Sequence, residues 1–184
     1  GGFTKIEDIM KVPGIKDAAF QKIKENNRYD SILYTIQEPI LAGYVFNKVS
    51  EIENEKIRVH YNFAVTTKRI EYISIFHLNE IIGILLDNAK EAVEQMEEAR
   101  RNINFHIMET VDKLTIKVTN ISEKIEQNRI IELFKEGYSS KENHSGLGLR
   151  KIKELADKYS YDIMPYNQVI NNENHIVFEI VIYK

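Results

Sequence analysis

Two hydrophobic periods alternate along this chain. Over residues 4–27 the apolar positions Ile6, Ile9, Val12, Ile15, Ala19 and Ile23, interrupted at Pro13-Gly14, predict two short helices around a turn. A second helical pattern covers residues 29–53 through Leu33, Ile36, Ile40, Tyr44, Val45, Val49 and Ile52. The Glu38-Pro39 step predicts a break in it, because a proline ring disfavours helical geometry in the residue before it. The period then falls to two. Ile57, Val59, Tyr61 and Phe63 alternate with Arg58, His60 and Asn62, as one face of a half-buried strand requires. Ser74 is placed to cap a helix over residues 76–97, with Leu78, Ile81, Ile82, Leu85, Ala89, Ala92, Val93 and Met96 as its apolar stripe.

The runs Ile103/Phe105/Ile107 and Leu114/Ile116/Val118, joined through Asp112-Lys113, predict an antiparallel hairpin. A short helix over residues 127–134, a polar glycine-bearing stretch over 135–146 and an amphipathic helix through Leu149, Ile152, Leu155, Ala156 and Tyr159 follow. The closing strand carries Ile176, Phe178, Ile180 and Ile182, with residues 161–168 as its hairpin partner across Asn171-Asn172-Glu173-Asn174.

Composition narrows what such a chain can be. Its 184 residues suit one domain, or one domain with a small appendage. Apolar residues at 43% and charged residues at 29% are ordinary for a folded protein. A net charge of −3 gives no basic field to hold a polyanion, so nucleic acid is not an expected partner. Val12-Pro13-Gly14-Ile15 echoes a DNA-gripping helix-hairpin-helix, but Lys16 stands where its second glycine belongs, and a packing helix is preferred. The absence of cysteine excludes disulfides and thiolate metal sites and accords with a reducing compartment. No apolar run approaches the roughly 20 residues of a membrane span, and Gly1 to Phe3 lack a signal peptide's character. The expectation is a cytoplasmic domain whose Gly1-Gly2 start marks a fragment of a longer protein, attached to the membrane only through segments of that parent.

Two features carry candidate chemistry. On the predicted central helix Ile84, Asp87, Asn88 and Glu91 share one side, away from Leu78, Ile82, Leu85 and Ala89. Asp87-Asn88 alone reads rather as a solvated pair on a surface helix. Ser145-Gly146-Leu147-Gly148-Leu149 opens a helix, where glycines let backbone amides approach an anion and the helix end favours negative charge. A lone glycine pair there is more often a loop or cap than a ligand site.

Taken in order, Gly83-Ile84-Leu85-Leu86-Asp87-Asn88-Ala89-Lys90-Glu91-Ala92, then Asn120, then Phe134-Lys135-Glu136-Gly137-Tyr138-Ser139-Ser140-Lys141, then Gly146-Leu147-Gly148-Leu149 resemble the motifs of the Bergerat (GHKL) ATP-binding fold. The version here is most similar to the ATP-binding catalytic domain of sensor histidine kinases, and within them to the peptide-pheromone quorum-sensing branch. The resemblance covers residues 40–184. It implies an α/β two-layer sandwich, a mixed and mainly antiparallel sheet with helices on one face, preceded by N-terminal helices. Residues 1–54 would be those helices, a remnant of the dimerisation region without the phosphoacceptor histidine, and residues 55–184 the catalytic domain. Glu38-Pro39-Ile40-Leu41-Ala42-Gly43-Tyr44 resembles the end of such a dimerisation region.

The resemblance also implies roles. Asn88 would hold Mg²⁺ through its amide oxygen, with the metal bridging ATP phosphates; Asn120 would accept from the adenine amino group in place of the usual aspartate. Residues 135–146 would form a lid anchored by Phe134, with Ser140 in it and Lys141 reaching the terminal phosphate; Gly146, Leu147 and Gly148 would hold phosphate with their backbone. The sequence departs from the family pattern at Glu91, where many members have lysine, at Ser122 and Lys124, where glycines are usual, and at His144. Ile84 replaces the glutamate that activates water in the ATPases of this fold, so phosphoryl transfer rather than hydrolysis is expected. The five histidines, His60, His77, His106, His144 and His175, all lie outside the N-terminal helices, so the acceptor imidazole would come from elsewhere. Expected partners are the dimerisation segment of the same kinase, as a homodimer in the full-length protein, and a response regulator. The alternative is a Ser/Thr kinase or anti-sigma-like regulatory module on the same fold.

Overall fold

The computed structural model describes residues 27–134 and 147–184. The helices predicted over residues 4–27 and the lid stretch 135–146 lie outside them, apart from Asn27.

Helix α1 (Asn27–Thr35) buries Ile32 and is followed by an extended residue, Ile36, in a parallel bridge with Val65. The predicted break follows immediately. Glu38 caps α2 (Pro39–Asn54), its carboxylate accepting from Leu41 N at 2.6 Å, and Pro39 takes the first helical turn, where a missing N–H costs nothing. Strand β1 (Arg58–Ala64) then leads to the central helix α3 (Ile75–Val93). Ser74 stands at the N-cap position of α3, although its side chain makes no capping bond.

The predicted extension of α3 to residue 97 is not realised. The Arg101 guanidinium takes the Met96 carbonyl at 2.8 Å, and a single 3₁₀ turn (Glu98–Arg100) redirects the chain into β2 (Asn102–Glu109). Strand β3 (Lys113–Ile121) returns antiparallel to β2, then α4 (Gln127–Glu132), α5 (Leu147–Tyr159), β4 (Asp162–Ile170) and β5 (Glu173–Tyr183) complete the chain. The last hairpin turns on two residues rather than four: Ile170 pairs with Glu173, and Asn171 and Asn172 adopt φ of 51° and 63°, a left-handed geometry that asparagine tolerates.

The five strands lie in the order β1-β2-β3-β5-β4. Only the β1–β2 pair is parallel, because α3 carries the chain across between them; the other three pairs are antiparallel. This is the mixed, mainly antiparallel sheet with helices on one face that the resemblance implies. Ile103, Phe105 and Ile107 of β2, Leu114, Ile116 and Val118 of β3, and Phe178, Ile180 and Ile182 of β5 pack beneath Leu78, Ile82, Leu85 and Ala89 of α3. Leu41, Val45, Phe46, Val49 and Ile52 of α2 belong to the same continuous core. The opposite sheet face carries a polar row, with His106 beside Lys117 and Lys117 beside Glu179, while the Tyr166 hydroxyl donates to Glu179 at 3.1 Å. No helix among the described residues is long and apolar enough to cross a membrane.

Candidate functional site

Helix α3 buries one side and offers the other, and the offered side is where the candidate residues gather. Leu78, Ile81, Ile82, Leu85, Leu86, Ala89 and Val93 are buried, while Ile84, Asp87, Asn88 and Glu91 are only partly covered. Asn88 Nδ2 is buried without a hydrogen-bond partner, an unusual state for an amide nitrogen. Of the two amide atoms only the oxygen could take a cation, since the nitrogen is a donor. Among the described residues no cluster of three or more His, Asp or Glu side chains could hold a metal by itself. A cation held at Asn88 would therefore complete its shell with phosphate oxygens and water, which suits Mg²⁺.

Helix α2 lies against α3 beside this asparagine. Lys48 Nζ is 2.7 Å from Asp87 Oδ1 and 3.8 Å from Glu51, and Lys90 reaches Glu55 at 2.6 Å. That hydrogen bond to Glu55 is the main reason the Lys90 ammonium titrates above its ordinary value. Gly83 matters for the approach: a Cβ there would collide with the Tyr44 hydroxyl. Burial, with the charges of Asp87 and Glu51, pushes the Tyr44 phenol up to about 12.

The glycine motif reaches the same helix from the other direction. A Cβ on Gly148 would stand 3.1 Å from Ile84 Cγ2, so the missing side chain lets the first turn of α5 settle on α3. His77 and Tyr159, with Nδ1 and hydroxyl 2.6 Å apart, fasten the far end of that contact. Between the two helices lies a hollow of about 470 Å³, lined by Glu80, Ile84, Leu147, Gly148, Arg150 and Lys151. Leu147 is half exposed at its rim.

Asn120 is 3% exposed near the end of β3, between Ile103 and Ile176, and its Nδ2 donates to the Ile121 carbonyl at 2.9 Å. That bond turns the amide oxygen away from Ile121 as an acceptor, and no described residue donates to it. Phe134 follows α4 and packs edge-on against Phe178, with ring centroids 6.4 Å apart. It borders a separate hollow of about 410 Å³ between α4, α5 and β4, with Ile130, Ala156, Tyr161 and Ile163. The structure thus brings Ile84, Leu147 and Gly148 together one turn from Asn88, with Asn120 and Phe134 on other elements. Glu91 lies on α3, partly buried and engaged within the fold. Ser140, Lys141, His144 and Gly146 lie outside the described residues.

Sequence reasoning passed over the residues that fix the segment after Asn120. Asn167 accepts from Ile125 N at 3.0 Å and donates to the Ile125 carbonyl at 2.7 Å, while Ser122 N donates to the Asn174 carbonyl at 3.1 Å. Asn174 Nδ2 also donates to Asn167 Oδ1 at 3.2 Å. Side-chain bonds therefore shape the stretch around Ser122 and Lys124, where the resemblance leads one to expect glycines. Asparagine is depleted in strands, so Asn167 and Asn174 within strand patterns were the available signal.

A family model described as a GHKL domain matches residues 73–183. Sensor protein CitS of Bacillus subtilis (strain 168) is 28% identical over 147 residues, covering 77% of this chain but 27% of CitS, so the chain spans about a quarter of that relative. Among solved structures, full-length ShkA in complex with AMPPNP aligns with a TM-score of 0.58 at 11% identity, over 79% of this chain and 30% of ShkA. The catalytic domain of histidine kinase ThkA aligns with a TM-score of 0.56 at 18% identity, over 76% of this chain and 88% of that domain. The family match takes in α3, Asn120, Phe134 and the glycine motif, and the solved domains share the sheet and helix arrangement: the chain belongs to the GHKL domain family.

Proposed function

We propose that this chain is the ATP-binding catalytic domain of a two-component sensor histidine kinase. It would donate the γ-phosphoryl group of ATP to a histidine on a dimerisation segment, from which a response regulator takes it. One observation carries the reading: the orphaned amide of Asn88 on the open face of α3, one turn from the contact between Ile84 and Gly148. The nucleotide complex of ShkA, on a similar fold, supports it. So does the kinship with a sensor protein.

In this reading Asn88 would hold Mg²⁺, and that ion when bound would supply charge neutralisation for the transferring group. Asn120 accepts from the adenine amino group, Phe134 walls the base side, and the backbone at Gly146–Gly148 with Ser140 and Lys141 contacts the phosphates. Glu91, one turn after Asn88, would contact the nucleotide in place of the lysine that the resemblance leads one to expect. Asn120 in place of aspartate is what supports the quorum-sensing branch. The nucleophile is an imidazole nitrogen of the dimerisation segment: the N–P bond forms as the bond from the γ-phosphorus to the β–γ bridging oxygen breaks, and ADP leaves. Ile84 provides no carboxylate to activate water, which favours transfer over hydrolysis. Residues 1–54 would belong to the dimerisation region of a homodimeric parent, residues 55–184 would be its cytoplasmic catalytic domain, and the parent would be a membrane protein.

Asn88→Ala tests this. Titration calorimetry with and without Mg²⁺ should show Mg-dependent ATP binding in the parent chain and its loss in the variant, with an unchanged circular dichroism spectrum. Equal affinity in the two chains would refute the site.

A further inference from the structure

Lys48 is 15% exposed, and its ammonium lies 2.7 Å from the carboxylate of Asp87, the residue next to Asn88. An ion pair whose acidic partner is half open to water adds little to stability, so folding alone gives no strong reason to hold a lysine there. Its electrostatic consequence is larger. Asp87 places a negative charge on the same side of α3 as Asn88, and an uncompensated carboxylate there would repel a triphosphate.

We infer that Lys48 is a positioning residue for the nucleotide site: α2 supplies the cation that cancels the Asp87 charge and holds that carboxylate against α2, leaving Asn88 as the only polar group of the pair directed at the ligand. This rests on the reading of Asn88 as the metal-holding residue. The surrounding contacts fit such a role. Glu51 lies 3.8 Å from Lys48 and balances it from the α2 side, Tyr44 fits over Gly83 one turn earlier, and Glu55 holds Lys90 one turn later, so the two helices meet in one register along this stretch. Lys48 acts through Asp87 and need not touch the nucleotide.

A double-mutant cycle on the full chain decides the matter, with Mg-ATP affinity measured in the parent, Lys48→Met, Asp87→Asn and the double variant. Lys48→Met should weaken binding on the order of 5-fold at low salt, the scale of one unmasked charge near a polyanion, and the gap should narrow as salt rises. In the Asp87→Asn background the same change should cost less than about 2-fold, because no charge remains to be unmasked. Lys48→Arg should keep the parent affinity. Equal losses in both backgrounds would show Lys48 attracting phosphate directly and overturn the inference; so would no loss in either. Should Lys48→Met fail to fold, Asp87→Asn alone decides: equal or tighter binding supports the inference, and a 5-fold weakening overturns it. Asn88→Ala, run alongside, separates the two claims. If it leaves affinity intact the nucleotide site itself is misassigned, whereas its loss together with a flat cycle sinks only the role of Lys48.

Discussion

Gly83 is the smallest residue on α3 and among the least replaceable. The Tyr44 hydroxyl occupies the space a methyl group would need, so Gly83→Ala must push α2 outward or tilt the ring. Overpacking of this kind costs about 1–3 kcal/mol, less the few tenths to 1 kcal/mol that alanine returns through helix propensity. Tyr44→Phe in the alanine background should recover part of the loss, since the oxygen is the colliding atom. Urea midpoints of the two variants check this, and a double variant no better than Gly83→Ala would place the clash elsewhere. At this scale the candidate site was largely readable. Asn88, Asn120, Phe134 and Gly148 stand in ordered motifs, and helical spacing alone sets Asn88 with Ile84 and Asp87. Lys48, Asn167 and Asn174 were not readable, because their partners are distant in the chain and no local period marks them.

Between elements, a dense polar fastening lies away from the site. Glu109, at the end of β2, accepts from Thr66 N at 2.7 Å, Thr67 N at 2.8 Å and Lys184 Nζ at 2.8 Å, and from the Thr67 hydroxyl. Burial by itself would raise its pKa, but the bonds from Lys184, Thr67 and Thr66 outweigh it and hold the carboxyl down at about 2. A carboxyl lowered from 4.5 in this way contributes stability that is complete above about pH 4.5 and fades as pH falls toward 2. Glu109→Gln should therefore cost about 1–3 kcal/mol at neutral pH, and the gap to the parent should close steadily below about pH 4.5. Denaturant midpoints from pH 7 to pH 3.5 measure it; a gap of constant size would exclude the ionised carboxylate as its source. The pairing links the start of the segment entering α3 to the end of the chain, and nothing in the local pattern announces it. Element identities were far easier to read: the Glu38-Pro39 break follows from proline sterics and the strands from their alternation. The overlong α3 shows the limit, since the arginine that takes the Met96 carbonyl acts from five residues away.

For the molecule as a whole, the missing carboxylate at position 84 and the absence of histidine among residues 1–59 point the same way. The 184-residue chain should bind ATP yet neither hydrolyse it briskly nor label itself. Without a positioned base the rate loss is typically about 10² to 10⁴. Incubation with γ-labelled ATP, alone and with a separate dimerisation segment, should give acid-labile label only in the mixture. Acid-labile label on the chain alone would contradict this, and acid-stable label would favour the Ser/Thr alternative. The strand order resisted sequence reading, because nothing along the chain says that β5 inserts between β3 and β4 or that β1 runs parallel to β2. That order leaves β4 at a sheet margin with Pro165 in its interior, opposite Phe178. A proline offers no amide hydrogen, so a strand arriving from another molecule cannot zip along β4 in an unbroken ladder. The fold thereby carries its own guard against edge-to-edge aggregation on that margin.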